Sequence, residues 1–156
     1  MKKAITYVGC VALTEVAGLI VGMLTREGTQ LYASTIVKPP LSPPGIVFPV
    51  AWTVLYALMG IGLARILLAP NTLSRSRAIV LFAVQLALNL TWSFIFFGAG
   101  NYGIALAELV CMLVVVILMM KEFAGVDGFA AKLQVPYAAW LCFATYLNAG
   151  VLALNG

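Results

Sequence analysis

Five stretches of this chain, residues 4–24, 46–68, 78–98, 103–120 and 133–154, are apolar, almost free of charge and each 18 to 23 residues long. A helix rises 1.5 Å per residue, so about 20 residues cross the roughly 30 Å hydrocarbon core of a bilayer. Hydrocarbon offers no partner to backbone N–H and C=O groups, and a helix satisfies its own. The pattern predicts an all-α membrane protein, a five-transmembrane-helix bundle forming one domain over residues 1–156 with the bilayer as its first partner. Lys2 and Lys3 before the first run resemble a signal peptide. That run is longer than the 7–15 residues of such a segment and no small-x-small site closes it, so it is read as a span.

Composition narrows the functions. Hydrophobic residues make up 63% of the chain and charged residues 9%, against about 25% charged in a soluble domain. Histidine is absent, and Cys10, Cys111 and Cys142 lie on different apolar segments. This predicts no metal site, no disulfide framework and cysteines that pack. The sequence contains no GxxxxGK[ST], GxSxG or HExxH, so no catalytic residue is assigned and no cofactor is required. The net charge of +4 comes from residues at segment ends rather than a basic stripe, which excludes nucleic acid as a partner and points to topology. With five spans, Lys2, Lys3, Arg65, Arg75, Arg77, Lys121 and Lys132 fall on one side, and Arg26 and Lys38 on the other. For insertion from the cytoplasm, as in a bacterial cell membrane, the N-terminus is expected inside.

The connection over residues 25–45 is longer than a bare connector needs and is read as a lid. Its second half, KPPLSPP, carries Pro39, Pro40, Pro43 and Pro44 around Leu41, which makes a stiff extended strap. Pro43 and Pro44 suit the start of the next helix.

Polar groups in hydrocarbon face a partner or a cavity. Counted along each helix, Trp52, Trp92, Asn148 and Glu108 fall in one layer of the outer half, with Glu15 and Asn89 in the layer below. Shared faces follow from helical spacing: Gln85, Asn89, Trp92 and Phe96; Phe48, Trp52 and Tyr56; Trp140, Ala144, Leu147 and Asn148. An aromatic cage with a few hydrogen-bonding groups suits a flat apolar ligand. The same spacing is also what interhelical hydrogen bonding and aromatic packing produce. Glu15 and Glu108 are read either as ion-coupling groups or as hydrogen-bonding ones. Gly18 with Gly22, and Ala83 with Ala87, are small-xxx-small pairs suited to close helix contact, within the chain or between two copies.

Three blocks, KPPLSPPGIVFPVAWTVLYALMG (residues 38–60), QLALNLTWSFIFFGAGNYGIAL (residues 85–106) and PYAAWLCFATYLN (residues 136–148), resemble in order and spacing the translocator protein family. That family is also called tryptophan-rich sensory protein or peripheral benzodiazepine receptor. The resemblance covers most of the chain. It implies a five-helix membrane domain, often a homodimer, that binds porphyrins such as protoporphyrin IX and related flat hydrophobic molecules under the first long loop. Carried over by position, Trp52, Asn89, Trp92, Trp140, Ala144 and Leu147 line the pocket, and Pro43 and Pro44 form the base of the lid; Asn89, Asn148 or Glu108 is then the expected hydrogen-bonding partner of the ligand's polar edge. Ala83 and Ala87 then become the expected dimer interface. Leu41 stands where many relatives carry tryptophan, which removes an aromatic from the lid. No Lys or Arg follows Lys132, so the animal sterol motif has no counterpart. The resulting expectation is a porphyrin-binding receptor or translocator. The alternative is an enzyme that degrades bound porphyrin in light, and active transport ranks below binding because inverted repeats and charged rings are absent.

Overall fold

The computed structural model describes residues 1–156, and the chain in it is helical without any strand. Five helices are long and apolar enough to cross a membrane: α1 (Lys2–Leu24), α3 (Val47–Leu68), α4 (Leu73–Ser93, continued by a wider turn over Phe94–Gly98), α5 (Tyr102–Val126) and α7 (Val135–Asn155). Two shorter helices complete the chain, α2 (Arg26–Thr35) and α6 (Gly128–Lys132).

The spans sit where the apolar runs place them, but several continue further. α4 begins five residues before Ala78, and α5 runs six past Met120. A helix need not end where hydrocarbon does; it ends where its terminal groups find other partners. Thr72 caps α4 by accepting from Arg75 N at 3.1 Å, and Asn101 caps α5 by accepting from Ile104 N at 3.1 Å. Arg75 turns its guanidinium back on the end of α3, donating to Ile66 O at 3.1 Å and Leu67 O at 3.0 Å. The last stretch differs more: α6 covers residues 128–132, and α7 starts at Val135 with Pro136 in its first turn, a position where proline forfeits no hydrogen bond.

The first long connection is not all loop. Thr25 bends the chain with φ −97° and ψ 9°, and the helix resumes as α2. Only residues 36–46 form the extended strap. Pro40 and Leu41 occupy the corners of a turn closed by Ser42 N donating to Pro39 O, and Leu41 has φ +66°. This is the type II geometry that favours glycine at Leu41's place. Leu41 is 80% exposed and points away from the bundle, so it takes no part in closing it.

Packing is tightest between α1 and α3 and between α4 and α5. Glycines set the first of these. A Cβ on Gly60 would lie 2.6 Å from Val11 Cα, and one on Gly18 would lie 2.2 Å from Tyr56 Cε2. Gly18 therefore serves an internal contact, whereas Gly22 has open space around it. α5 also packs on α7. α3 and α7 do not pack backbone against backbone; aromatic side chains fill the interval between them.

Candidate functional site

The interval between α3 and α7 holds one of two aromatic groups. From α3 come Phe48, Trp52 and Tyr56, spaced i, i+4, i+8, and from α7 come Tyr137, Trp140 and Phe143, spaced i, i+3, i+6. Trp52 stacks on Tyr56 with centroids 5.4 Å apart and meets Tyr137 and Trp140 edge-on, each at 6.3 Å. Phe48 and Phe143 flank Trp140 at 6.0 and 5.8 Å. Edge-to-face pairs at these separations are the favoured arrangement of ring quadrupoles.

A hydrogen-bonded layer closes the cluster toward the bundle centre. Tyr56 donates its hydroxyl to Asn89 Oδ1 at 2.5 Å, Asn89 donates Nδ2 to Tyr137 Oη at 3.1 Å, and Tyr137 donates to Met112 Sδ at 3.4 Å. Thr14 joins from α1, donating to Tyr56 O at 2.8 Å. Residues of all five spanning helices thus meet in one buried layer. For Asn89 the interhelical role is the one the geometry displays.

Outside this layer the interval opens as an apolar groove of about 700 Å³, walled on α3 by Val50, Ala51 and Val54 and on α7 by Pro136, Ala139 and Trp140. Small-molecule sites span about 300–1,000 Å³. The groove faces the side of the bundle, not its end: Val50 and Val54 are exposed.

The second aromatic group lies at the end of the bundle under the long connection. Trp92 stacks on Phe96 at 4.9 Å, Phe97 stands edge-on to both, and Tyr102 packs on Phe96 at 5.0 Å. Tyr32 of α2 closes it against Phe96 and Phe97 at 5.4 and 5.5 Å. Burial, and then the neighbouring Tyr102, raise the Tyr32 phenol above its ordinary pKa, so it stays neutral in this seat. Trp92 Nε1 donates to Asn148 Oδ1 at 3.3 Å, and Asn148 Nδ2 donates to Tyr102 O at 2.8 Å. Trp92 is only 8% exposed.

The residues singled out from the sequence therefore divide. Trp52 and Trp140 stand together at the groove with Asn89 behind them. Trp92 and Asn148 pair in the second group. Ala144, one turn from each group on α7, is half-buried and Leu147 is buried. Glu108 joins neither group; it accepts from the Thr91 hydroxyl on the seam between α4 and α5. Glu15 is half-buried on α1. Ala83 and Ala87 lie exposed on α4. Pro43 is half-buried and Pro44 exposed at the foot of the strap.

Tyr137, Phe143 and the wall residues Val50, Ala51, Val54 and Ala139 were not singled out. The three-residue spacing of aromatics at 137, 140 and 143 is the signal that points to the first two. Nothing in apolar residues on an apolar helix distinguishes a groove wall from a lipid-facing surface.

Residues 10–154 match the family model described as the TspO/MBR family. The chain is 37% identical over 155 residues to "Tryptophan-rich protein TspO" of Chlorobaculum tepidum, covering 99% of this chain and 98% of that protein. It is 38% identical over 118 residues to "Tryptophan-rich sensory protein" of Cereibacter sphaeroides, covering 76% and 73%. It is 36% identical over 144 residues to "Translocator protein" of Bos taurus, covering 90% and 85%.

Proposed function

Because the chain belongs to the TspO/MBR family and is an integral, multi-pass membrane protein, we propose that it is a receptor or translocator-type protein for porphyrins and related flat hydrophobic molecules. The observation that carries this reading is the groove between α3 and α7, with Trp140 in its wall and Trp52, Tyr56 and Tyr137 packed behind. A flat macrocycle gains most from a site of this kind, because its faces are apolar and polarisable and indole rings stack on them. Without histidine in the chain, axial ligation of haem iron by its commonest ligand is excluded, and free porphyrin is the better fit.

Protoporphyrin IX titrated into the detergent-purified protein, followed by the Soret band, tests this reading. Saturable binding with a shifted band is expected, and native mass spectrometry is expected to find the porphyrin bound to the folded protein. A band that changes only as it does in empty micelles contradicts it. Ala83 and Ala87 form, in this reading, the face on which a second copy sits.

A further inference from the structure

The groove and the strap differ in how they are closed. The strap is fastened to α7. Val37 N donates to Asn155 Oδ1 at 3.0 Å, Asn155 Nδ2 donates back to Val37 O at 2.9 Å, and Tyr146 donates its hydroxyl to Pro40 O at 2.9 Å. Pro39 is buried against Gly150, where a Cβ would lie 2.5 Å from the Pro39 Cβ. α2 is fastened to the end of α4: Tyr32 sits on Phe96 and Phe97, and a Cβ on Gly28 would come within 1.9 Å of Phe97 O. Lifting this assembly breaks three hydrogen bonds and uncovers Pro39 and Tyr32. The sidewall is different. Between α3 and α7 stand Ala51, Val54 and Ala139, with no hydrogen bond across the mouth, and Trp140 belongs at once to the groove wall and to the aromatic cluster.

We infer that the site exchanges its ligand sideways with the bilayer, through the interval between α3 and α7, while the strap stays docked. The inference rests on the reading of the groove as a binding site for flat apolar molecules. Its physical basis is that such a solute is concentrated in hydrocarbon by the hydrophobic effect. It meets the groove there directly, whereas passage under the strap requires a conformational opening, and association slows when only a fraction of the protein is open. The strap then serves to seal the end of the bundle, and the width of the interval sets the rate.

The test compares association rates of protoporphyrin IX, delivered from donor vesicles to the protein in acceptor vesicles, by stopped-flow fluorescence. In a background with Cys10→Ala, Cys111→Ala and Cys142→Ala, Pro39→Cys with Gly150→Cys is oxidised to lock the strap. Disulfides need Cβ atoms about 3.8 Å apart, so a small outward shift brings this pair into range. Oxidised and reduced forms are expected to associate within about twofold of each other, and Ala139→Trp or Val54→Trp to slow association about tenfold. A tenfold slowing by the lock, or fillers that leave the association rate unchanged or abolish binding without slowing it, overturns lateral exchange. Failure of the unaltered protein to bind protoporphyrin at all overturns the functional reading itself, which separates the two outcomes.

Discussion

At the level of single residues, buried polar groups decide how much of the interior is committed to structure. Asn89 and Asn148 are fully used, each donating and accepting across helices. Their positions were legible from the helical spacing, but their partners were not. Tyr137 and Tyr102 come from helices whose rotation about their axes the spacing alone does not set. Gln85 is the contrast: it is completely buried, and neither its Oε1 nor its Nε2 has a partner. An orphaned carboxamide carries its full desolvation penalty, so an apolar side chain of similar shape is no worse. Gln85→Met is therefore expected to hold or raise thermal stability in detergent, by up to about 1–3 kcal/mol. Asn89→Leu is expected to lower it by a similar amount, since it strands the Tyr56 hydroxyl and removes the donor to Tyr137 Oη. Melting curves followed by tryptophan fluorescence compare the two, and a loss of stability in Gln85→Met matching that of Asn89→Leu contradicts this assignment of roles.

At the level of elements, the sequence located the spans well and the connections poorly, for one reason. Spans are marked by composition over twenty residues, whereas α2 and α6 are marked by a few residues whose meaning depends on what they touch. Gly28 and Tyr32 of α2 and Ile36 at its C-cap recur every four residues, a helical signal hidden by a polar stretch with no apolar run. Gly28 matters because α2 rests on Phe97 O. Gly28→Val is expected to lift α2 and the strap, seen as faster amide hydrogen exchange over residues 26–42 with the spans unchanged; unchanged exchange in α2 contradicts the docking. At the other end, Asp127 is both a cap and an ion-pair partner. It accepts from Phe129 N and Ala130 N, both at 2.9 Å, and Arg65 Nη2 lies 2.7 Å from its Oδ2. Burial pushes the Asp127 carboxyl up, but the Arg65 hydrogen bond and the backbone donors outweigh it and hold the pKa below the ordinary carboxylate value. A depressed folded-state pKa gives stability that is complete above the unfolded value of about 3.9 and lost as pH falls through the folded one. Melting temperature is expected to drop below about pH 4, and Asp127→Asn, which keeps the cap, is expected to flatten that drop. An equally steep drop in Asp127→Asn contradicts the linkage.

At the level of the whole molecule, the bundle is closed along α1–α3, α4–α5 and α5–α7 and open between α3 and α7. That asymmetry was not legible in the sequence, because an aromatic face such as Phe48, Trp52 and Tyr56 reads the same whether it fills a core or backs a groove. The aromatic residues gathered into one imagined cavity instead form two groups, one at the groove and one sealed under α2. Ala83 and Ala87 leave a flat, exposed strip on α4. A second copy docked there is expected to bring Ala83→Cys within disulfide reach of its symmetry mate, and oxidation in vesicles that yields only monomer contradicts pairing on that strip. The central claim concerns the groove, and the most direct measurement is the dissociation constant of protoporphyrin IX for three single variants. Trp140→Ala, which removes a wall residue, and Trp52→Ala, which removes the ring backing it, are each predicted to weaken binding about tenfold, about 1.4 kcal/mol. Trp92→Phe, altered in the sealed group, is predicted to leave the constant within about threefold. Weakened binding in Trp92→Phe alone, with Trp52→Ala and Trp140→Ala unaffected, would place the ligand under α2 and contradict the account.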